Sequence, residues 1–207
     1  METLRIETLC MLLFFTVSLR AQVPDKRGYI GMSLGPSFLA GYWASNGKTG
    51  TGLNINLINF GYVLGKGFGV SAAWVGGAHL FHSRSYVLNG QGNGNSYSFP
   101  VDSEVSYGML LVGPMYCVAL SGNSYLDFRG RCGVSHTTEK MSSSQFGGNL
   151  STESVGYSIG VGYRIKLAPR WCILLSGDYY SGRMHSVFSA SKRITPISLN
   201  AGIGFLL

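Results

Sequence analysis

Residues 155–167 read Val155-Gly-Tyr-Ser-Ile-Gly-Val-Gly-Tyr-Arg-Ile-Lys-Leu167. One phase of this run is Val155, Tyr157, Ile159, Val161, Tyr163, Ile165 and Leu167; the other is Gly156, Ser158, Gly160, Gly162, Arg164 and Lys166. An extended strand sends successive side chains to opposite faces, so the first set makes an apolar face and the second a small or charged one. A helix would mix the two sets. The same alternation closes the chain, with Ile197, Leu199, Ala201, Ile203, Phe205 and Leu207 set against Ser198, Asn200, Gly202 and Gly204. It recurs near the start, with Ile30, Met32 and Leu34 set against Gly31, Ser33 and Gly35.

Beyond these runs, eight segments carry a strand pattern: about 29–38, 52–64, 68–79, 103–120, 125–137, 154–167, 171–182 and 196–207. In the second, the apolar phase runs Leu53, Ile55, Leu57 and then Ile58, Phe60, Tyr62, which a bulge near Leu57–Asn59 accounts for. The fourth is apolar in both phases and carries no readable register. The connections alternate in length. Gly65-Lys66-Gly67, Ser121-Gly122-Asn123-Ser124 and Ala168-Pro169-Arg170 read as tight turns. The others are long, polar and glycine-rich, as in Asn89–Ser96 and Met141–Asn149. With antiparallel neighbours, the short turns gather at one end and the long loops at the other. Short periplasmic turns and long extracellular loops are the layout of an outer-membrane barrel. An even strand number puts both termini on the short-turn side.

The chain is 45% apolar and only 12% charged, with 30 glycines in 207 residues and no Gly-X-Y period, which excludes disorder and collagen. Residues 1–21 form a separate unit. Arg5 precedes the apolar run Leu9–Val17, and Ser18-Leu19-Arg20-Ala21 ends on a small residue, the layout of a secretory signal. Cleavage is expected after Ala21, leaving a barrel domain over 22–207. Losing residues 1–21 removes two basic and two acidic groups and keeps the net charge at +7. The run is too short to span a bilayer as a helix, and no later segment is longer in unbroken apolar residues. An exported soluble protein or a transmembrane barrel remains, the latter being the other arrangement that satisfies its own backbone in lipid.

The soluble rival is a lipocalin-like ligand-binding barrel with the apolar phase inside. A solvated face would carry Lys, Glu, Thr and Asp. Here the polar phase is mostly Gly, Ser and Asn, which suits the crowded lumen of a narrow barrel. Trp74, Trp171 and Tyr179 fall on the apolar phase near predicted strand ends, where aromatic girdles meet the membrane interface. The expectation is an all-β, eight-stranded, antiparallel up-and-down transmembrane β-barrel.

Gly28-Tyr-Ile-Gly-Met-Ser-Leu-Gly35, Asn59-Phe-Gly-Tyr62 leading into Gly65-Lys-Gly-Phe-Gly-Val70, Gly160-Val-Gly-Tyr-Arg164 and Asn200-Ala-Gly-Ile-Gly-Phe-Leu-Leu207 together resemble the small eight-stranded outer-membrane β-barrels of Gram-negative bacteria, the OmpA-like and OmpX-like class. The resemblance covers essentially all of 22–207. It implies a monomer in the outer membrane, in contact with membrane lipid and lipopolysaccharide, inserted by the barrel-assembly machinery. Barrels of this class usually end on an aromatic residue, whereas this sequence has Leu207 last and Phe205 two residues back.

The inward phase carries Asp127, Arg129, Arg131, Arg164, Lys166 and Asp178. Isolated ions are too costly in a low-dielectric lumen, so these should pair. Asp127 is expected to meet Arg164 and Lys166 on the neighbouring strand, and Arg131 to meet Asp178 across the lumen, as a plug. Cys117, Cys132 and Cys172 are expected to stay unpaired, because the hairpin offsets Cys117 from Cys132 beyond bridging distance. His79, His82, His136 and His185 lie toward the loop end, but no catalytic motif, metal spacing or cofactor fingerprint accompanies them. The basic excess is scattered, and no nucleic-acid partner is expected. At the loop end Arg183, Lys192 and Arg193 are expected to touch lipopolysaccharide phosphates. The functional expectation is a non-enzymatic barrel with a structural or surface-binding role through its long loops. Small-solute passage is the alternative.

Overall fold

A computed structural model describes residues 27–40, 51–89, 96–142, 147–186 and 189–207, with backbone alone for 82–89, 96–101, 186 and 189–192. The signal reading over residues 1–21 lies outside the described residues. The strands are β1 (Gly28–Leu39), β2 (Gly52–Gly65), β3 (Phe68–Asn89), β4 (Ser96–Ser121), β5 (Ser124–Ser142), β6 (Gly147–Ala168), β7 (Trp171–Ser186), β8 (Ser189–Ile194) and β9 (Pro196–Leu206). Each pairs antiparallel with its sequence neighbour from β1 to β7; β7 then pairs with β9, and β9 with β1, closing the ring. β8 continues β9 upward against β7, with Gly182 opposite Ile194 above Tyr179 opposite Ile197, so β8 and β9 act as one eighth strand broken at Thr195. The architecture is the eight-stranded up-and-down barrel read from the period-2 runs.

The bulge in β2 is where the phase change placed it. Asn56 pairs with Val75 and Ile58 with Trp74, which leaves Leu57 as the extra residue. Leu57 and Ile58 therefore both face outward, while Asn54, Asn56 and Asn59 all face the lumen and are buried. One inserted residue lets the apolar set stay outside through a change of phase.

The loops are shorter than expected because the strands run on. β3 has 22 residues, β4 26 and β6 22, against about 9–11 needed to cross a bilayer. The β3–β4 ladder continues through Arg84 opposite Val101 to Asn89 opposite Ser96. Above the apolar band no face needs to be apolar, and the ladder continues on main-chain hydrogen bonds. Period-2 patterning vanishes there although the strand does not. Trp74 consequently lies well inside β3, not near its end.

The apolar phase faces outward around the ring. Val155 is 75% exposed, Ile159 64%, Leu34 61% and Ile203 60%. Such a continuous apolar surface is far beyond what a water-soluble monomer tolerates. At the turn end it finishes in aromatic contacts, Phe68 with Tyr116 and Trp171 edge-on to Phe205 with centroids 5.6 Å apart.

The lumen is packed, and not only with polar groups. β4 resolves its ambiguous register by turning Val105, Tyr107, Met109, Leu111, Met115 and Cys117 inward and Leu110 and Val112 outward. These residues seed two buried apolar clusters. The lower, by the turns, contains Tyr29, Val63, Met115, Tyr125 and Leu174. The upper contains Val75, Phe81, Met109, Tyr180 and Met184.

Candidate functional site

β5 supplies the charged layer between the two clusters, because Asp127, Arg129 and Arg131 alternate with outward residues on one strand. Arg129 lies in one row with Gly160 of β6 and Asp178 of β7. The missing side chain at Gly160 lets the guanidinium pass over β6, and a Cβ there would collide with the Asp178 carboxylate. Arg129 Nη2 donates to Asp178 Oδ1 at 3.2 Å, and Nη1 donates to Asn59 Oδ1 at 3.1 Å. Ser176 Oγ donates to the other Asp178 oxygen at 2.8 Å. Asp178 is thus taken by Arg129. Arg131, expected to reach it, instead donates from Nε to Ser71 Oγ at 3.1 Å, because it lies one row higher, opposite Ser158.

Lower down, Arg164 Nη2 donates to Asp127 Oδ1 at 3.3 Å. Its guanidinium carbon lies 4.5 Å from the Tyr29 ring centre and 4.9 Å from that of Tyr125. Two ring faces and one carboxylate replace the water this cation gives up. Lys166 does not complete that group. It sits at the β4–β5 turn, its amide bonded to Asn123 O at 2.8 Å, and is partly exposed. Of the six charges, the fold brings together Arg129 with Asp178 and Arg164 with Asp127.

A second buried network lies higher. Asn54 Nδ2 donates to Tyr107 Oη at 2.7 Å, Tyr107 Oη lies 3.3 Å from Ser37 Oγ, and Ser37 Oγ lies 3.2 Å from His79 Nε2. Sequence reasoning missed it because its hub is on β4, the strand without a readable phase; the inward asparagines of β2 were the available signal. Ser37 and His79 are fully buried, so the pair braces β1 against β3 and offers no nucleophile to a substrate. Tyr107→Phe strips the acceptor from buried Asn54 and is expected to cost about 1–3 kcal/mol, measured by urea unfolding of the detergent-refolded barrel.

Cys117 and Cys172 are buried toward the lumen and Cys132 is exposed; all three are free thiols. Of the residues assigned to surface contacts, Arg183 and Arg193 are exposed and directly opposite each other on β7 and β8. Lys192 faces Met184 one position higher, and its side chain lies outside the described residues. So does that of His82.

No family model and no characterised protein sequence matches the chain. Solved structures do. Neisserial surface protein A matches with a TM-score of 0.52 at 11% identity over 87% of this chain and 97% of that one. The outer membrane protein OprG from Pseudomonas aeruginosa matches with a TM-score of 0.51 at 13% identity over 89% and 98%. The attachment invasion locus protein Ail of Yersinia pestis matches at 18% identity over 88% and 97%, with a TM-score of 0.47. The first two likenesses cover nearly all of each matched chain, and with the closed ring described above the chain has the fold of the small eight-stranded outer-membrane β-barrels.

Proposed function

We propose that the protein is an integral barrel of the outer membrane, delivered by a signal over residues 1–21, with a sealed lumen and a working surface at its extracellular end. The observation that carries the reading is the inversion of polarity. Large apolar side chains stand exposed around the ring, while Arg129, Arg131, Arg164, Asp127 and Asp178 are buried inside it. Water outside would invert that pattern again. Support of the membrane or contact with surface partners follows from this geometry more readily than solute passage, because the lumen cross-section is filled at three levels by side chains.

Two measurements test the reading. The protein should remain in the membrane fraction after alkaline extraction and should shift in gel mobility on heating. Release into the soluble fraction without detergent would return the chain to the lipocalin-like alternative. Purified protein in planar bilayers should give no large steady conductance, and a reproducible porin-sized current would favour solute passage.

A further inference from the structure

The outward face of β3 to β6 changes character between adjacent rows. One row, Trp74–Leu110–Val134–Val155, is apolar and exposed. The next row up is Gly76–Gly108–His136–Glu153, and above it lies Ala78–Ser106–Thr138–Ser151. The register thus sets an imidazole, a carboxylate and a row of hydroxyls where the apolar band gives way to polar residues. Their contacts form a chain. Glu153 Oε1 lies 3.7 Å from His136 Nδ1, Thr138 Oγ1 lies 3.3 Å from His136 Nε2, and Ser151 Oγ lies 3.1 Å from Thr138 Oγ1.

Two features of this cluster point to a reaction. The first is its order. A carboxylate at one ring nitrogen and a hydroxyl at the other is the connectivity of a nucleophile, its base and the group that orients the base. A carboxylate facing Nδ1 favours the tautomer with its proton there, which leaves Nε2 to accept from Thr138 Oγ1. The 3.7 Å contact is longer than a hydrogen bond, and catalytic contacts are commonly long before substrate binds. The second feature is room for a substrate. Gly76 and Gly108 stand in the row of the imidazole, and a Cβ at Gly108 would meet nothing within 4 Å. Glycine weakens a strand interior and often marks where a ligand approaches closely. Here it leaves a bare ledge over β3 and β4 next to His136. No sequence motif announces the cluster, because Glu153 reaches His136 only through the β5–β6 register.

We infer that this rim hydrolyses a carboxylic ester of a long-chain membrane amphiphile, with Thr138 as nucleophile, His136 as general base and then general acid, and Glu153 orienting the imidazole. Thr138 Oγ1 attacks the ester carbonyl carbon while its proton passes to His136 Nε2. The bond from that carbon to the alcohol oxygen breaks, the alcohol leaves with the proton, and the acyl group stays on Thr138. Water then attacks the acyl carbon and gives a proton to Nε2. The bond to Thr138 Oγ1 breaks, Thr138 takes the proton back, and the carboxylic acid leaves. Water is the one co-reactant. Ser106 and Ser151 flank Thr138 in its row and supply hydroxyl donors for the oxyanion. The place fits an amphiphile, whose acyl chain can lie against exposed Leu110, Val134 and Val155 with its ester beside His136. The inference rests on the outer-membrane placement proposed above and adds to it a reaction outside the sequence-based expectation of a non-enzymatic barrel.

The test uses the full mature barrel in neutral detergent, first shown to be membrane-integrated by alkaline extraction and folded by its heat-shifted gel band. Failure there overturns the outer-membrane reading; past that point the outcomes bear on the reaction alone. Release of p-nitrophenol from p-nitrophenyl palmitate in mixed micelles is compared with release from p-nitrophenyl acetate. Wild type is expected to show the higher kcat/KM on the palmitoyl ester. H136A and T138V should each lose about 1,000-fold or more in kcat and E153Q about 100-fold or more, with KM little changed. T138S should keep the activity, and G108L, which fills the ledge without replacing a reacting group, should raise KM. After incubation with an alkyl fluorophosphonate, mass spectrometry should find the adduct on Thr138 in wild type and none in H136A. No turnover above the H136A and T138V background, an unaltered kcat in E153Q, or an adduct on Ser151 in place of Thr138 overturns the assignment of the reacting groups. Equal kcat/KM on the two esters, or an unaltered KM in G108L, overturns the amphiphile as substrate. Should a variant give no heat-shifted band, the two esters and the adduct on wild type decide alone.

Discussion

Asn in place of Asp178 is expected to destabilise the folded barrel by about 3–5 kcal/mol, while Met in place of Arg131 should cost under about 1 kcal/mol or stabilise it. Both residues are charged and buried, so burial alone predicts equal penalties. Partnership separates them. Asp178 accepts from Arg129 and Ser176, and its loss strands a guanidinium that is 2% exposed. Arg131 has only Ser71 on its Nε, and its Nη2 has no hydrogen-bond partner among the described residues. Ser71 Oγ also reaches Gly113 O at 3.4 Å and keeps a partner without Arg131. Removing Arg131 thus removes a desolvation cost with little pairing to lose. R129M/D178L, which removes both partners, should return most of the stability lost by D178N. Urea titrations of vesicle-refolded protein, read by tryptophan fluorescence and gel mobility, measure all three. A flat series would mean the lumen is wet and the pair is not buried.

Arg in place of Ile159 is expected to cost about 2–4 kcal/mol, against about 0–1 kcal/mol for Arg in place of Val155. Both side chains point outward and are highly exposed, so on a soluble barrel both substitutions would be close to neutral. In a membrane, depth matters. A strand tilted about 40° descends roughly 2.6 Å per residue. Across the run Val155–Leu167 that puts Ile159 near the midplane and Val155 near the headgroups, beside Arg183. Ser158→Arg tests the other face, because Ser158 is 2% exposed and opposite Arg131, where a third guanidinium has no room. The same unfolding assay in vesicles serves. Equal, small effects at 155 and 159 would remove the case for lipid around the ring.

Most of the wall is legible in the amino-acid sequence. In β1, β6 and β9 a single alternation separates outward Ile, Leu and Val from inward Gly, Ser and Asn, because lipid on one side and a narrow lumen on the other make opposite demands. The β2 bulge was legible for the same reason. Strand length was not, since β3 to β6 leave the apolar band and lose the pattern that reports them. The partners of the lumen charges were half legible. Alternation assigned Asp127, Arg129, Arg131, Arg164 and Asp178 to the inside, but pairing depends on register. A shift of one row gives Asp178 to Arg129 across Gly160 and leaves Arg131 to Ser71. The Tyr107 network hid on β4, where Val105, Met109 and Leu111 inside and Leu110 and Val112 outside are chemically alike.

The lumen ties are not evenly spread around the ring. Arg129 joins β5 to β2 and β7, Arg131 joins β5 to β3, and Arg164 joins β6 to β5. Among the described residues no ion pair involves β1 or β9. Their mutual edge is a ladder from Tyr29–Leu206 to Leu39–Pro196, with Gly31 facing Gly204 and Ser33 facing Gly202. Unzipping that edge breaks main-chain bonds and no ion pair among the described residues, and the lumen charge it can uncover is Arg164, from the Tyr29 ring of β1 alone. During insertion, the chain can therefore stay open between its first and last strands while β2 to β7 already hold a neutralised interior as one cooperative block. Pairing of β1 with β9 is then the late step, and a disulfide between cysteines placed at Leu34 and Ala201, which face each other across it, would lock the barrel only after that step.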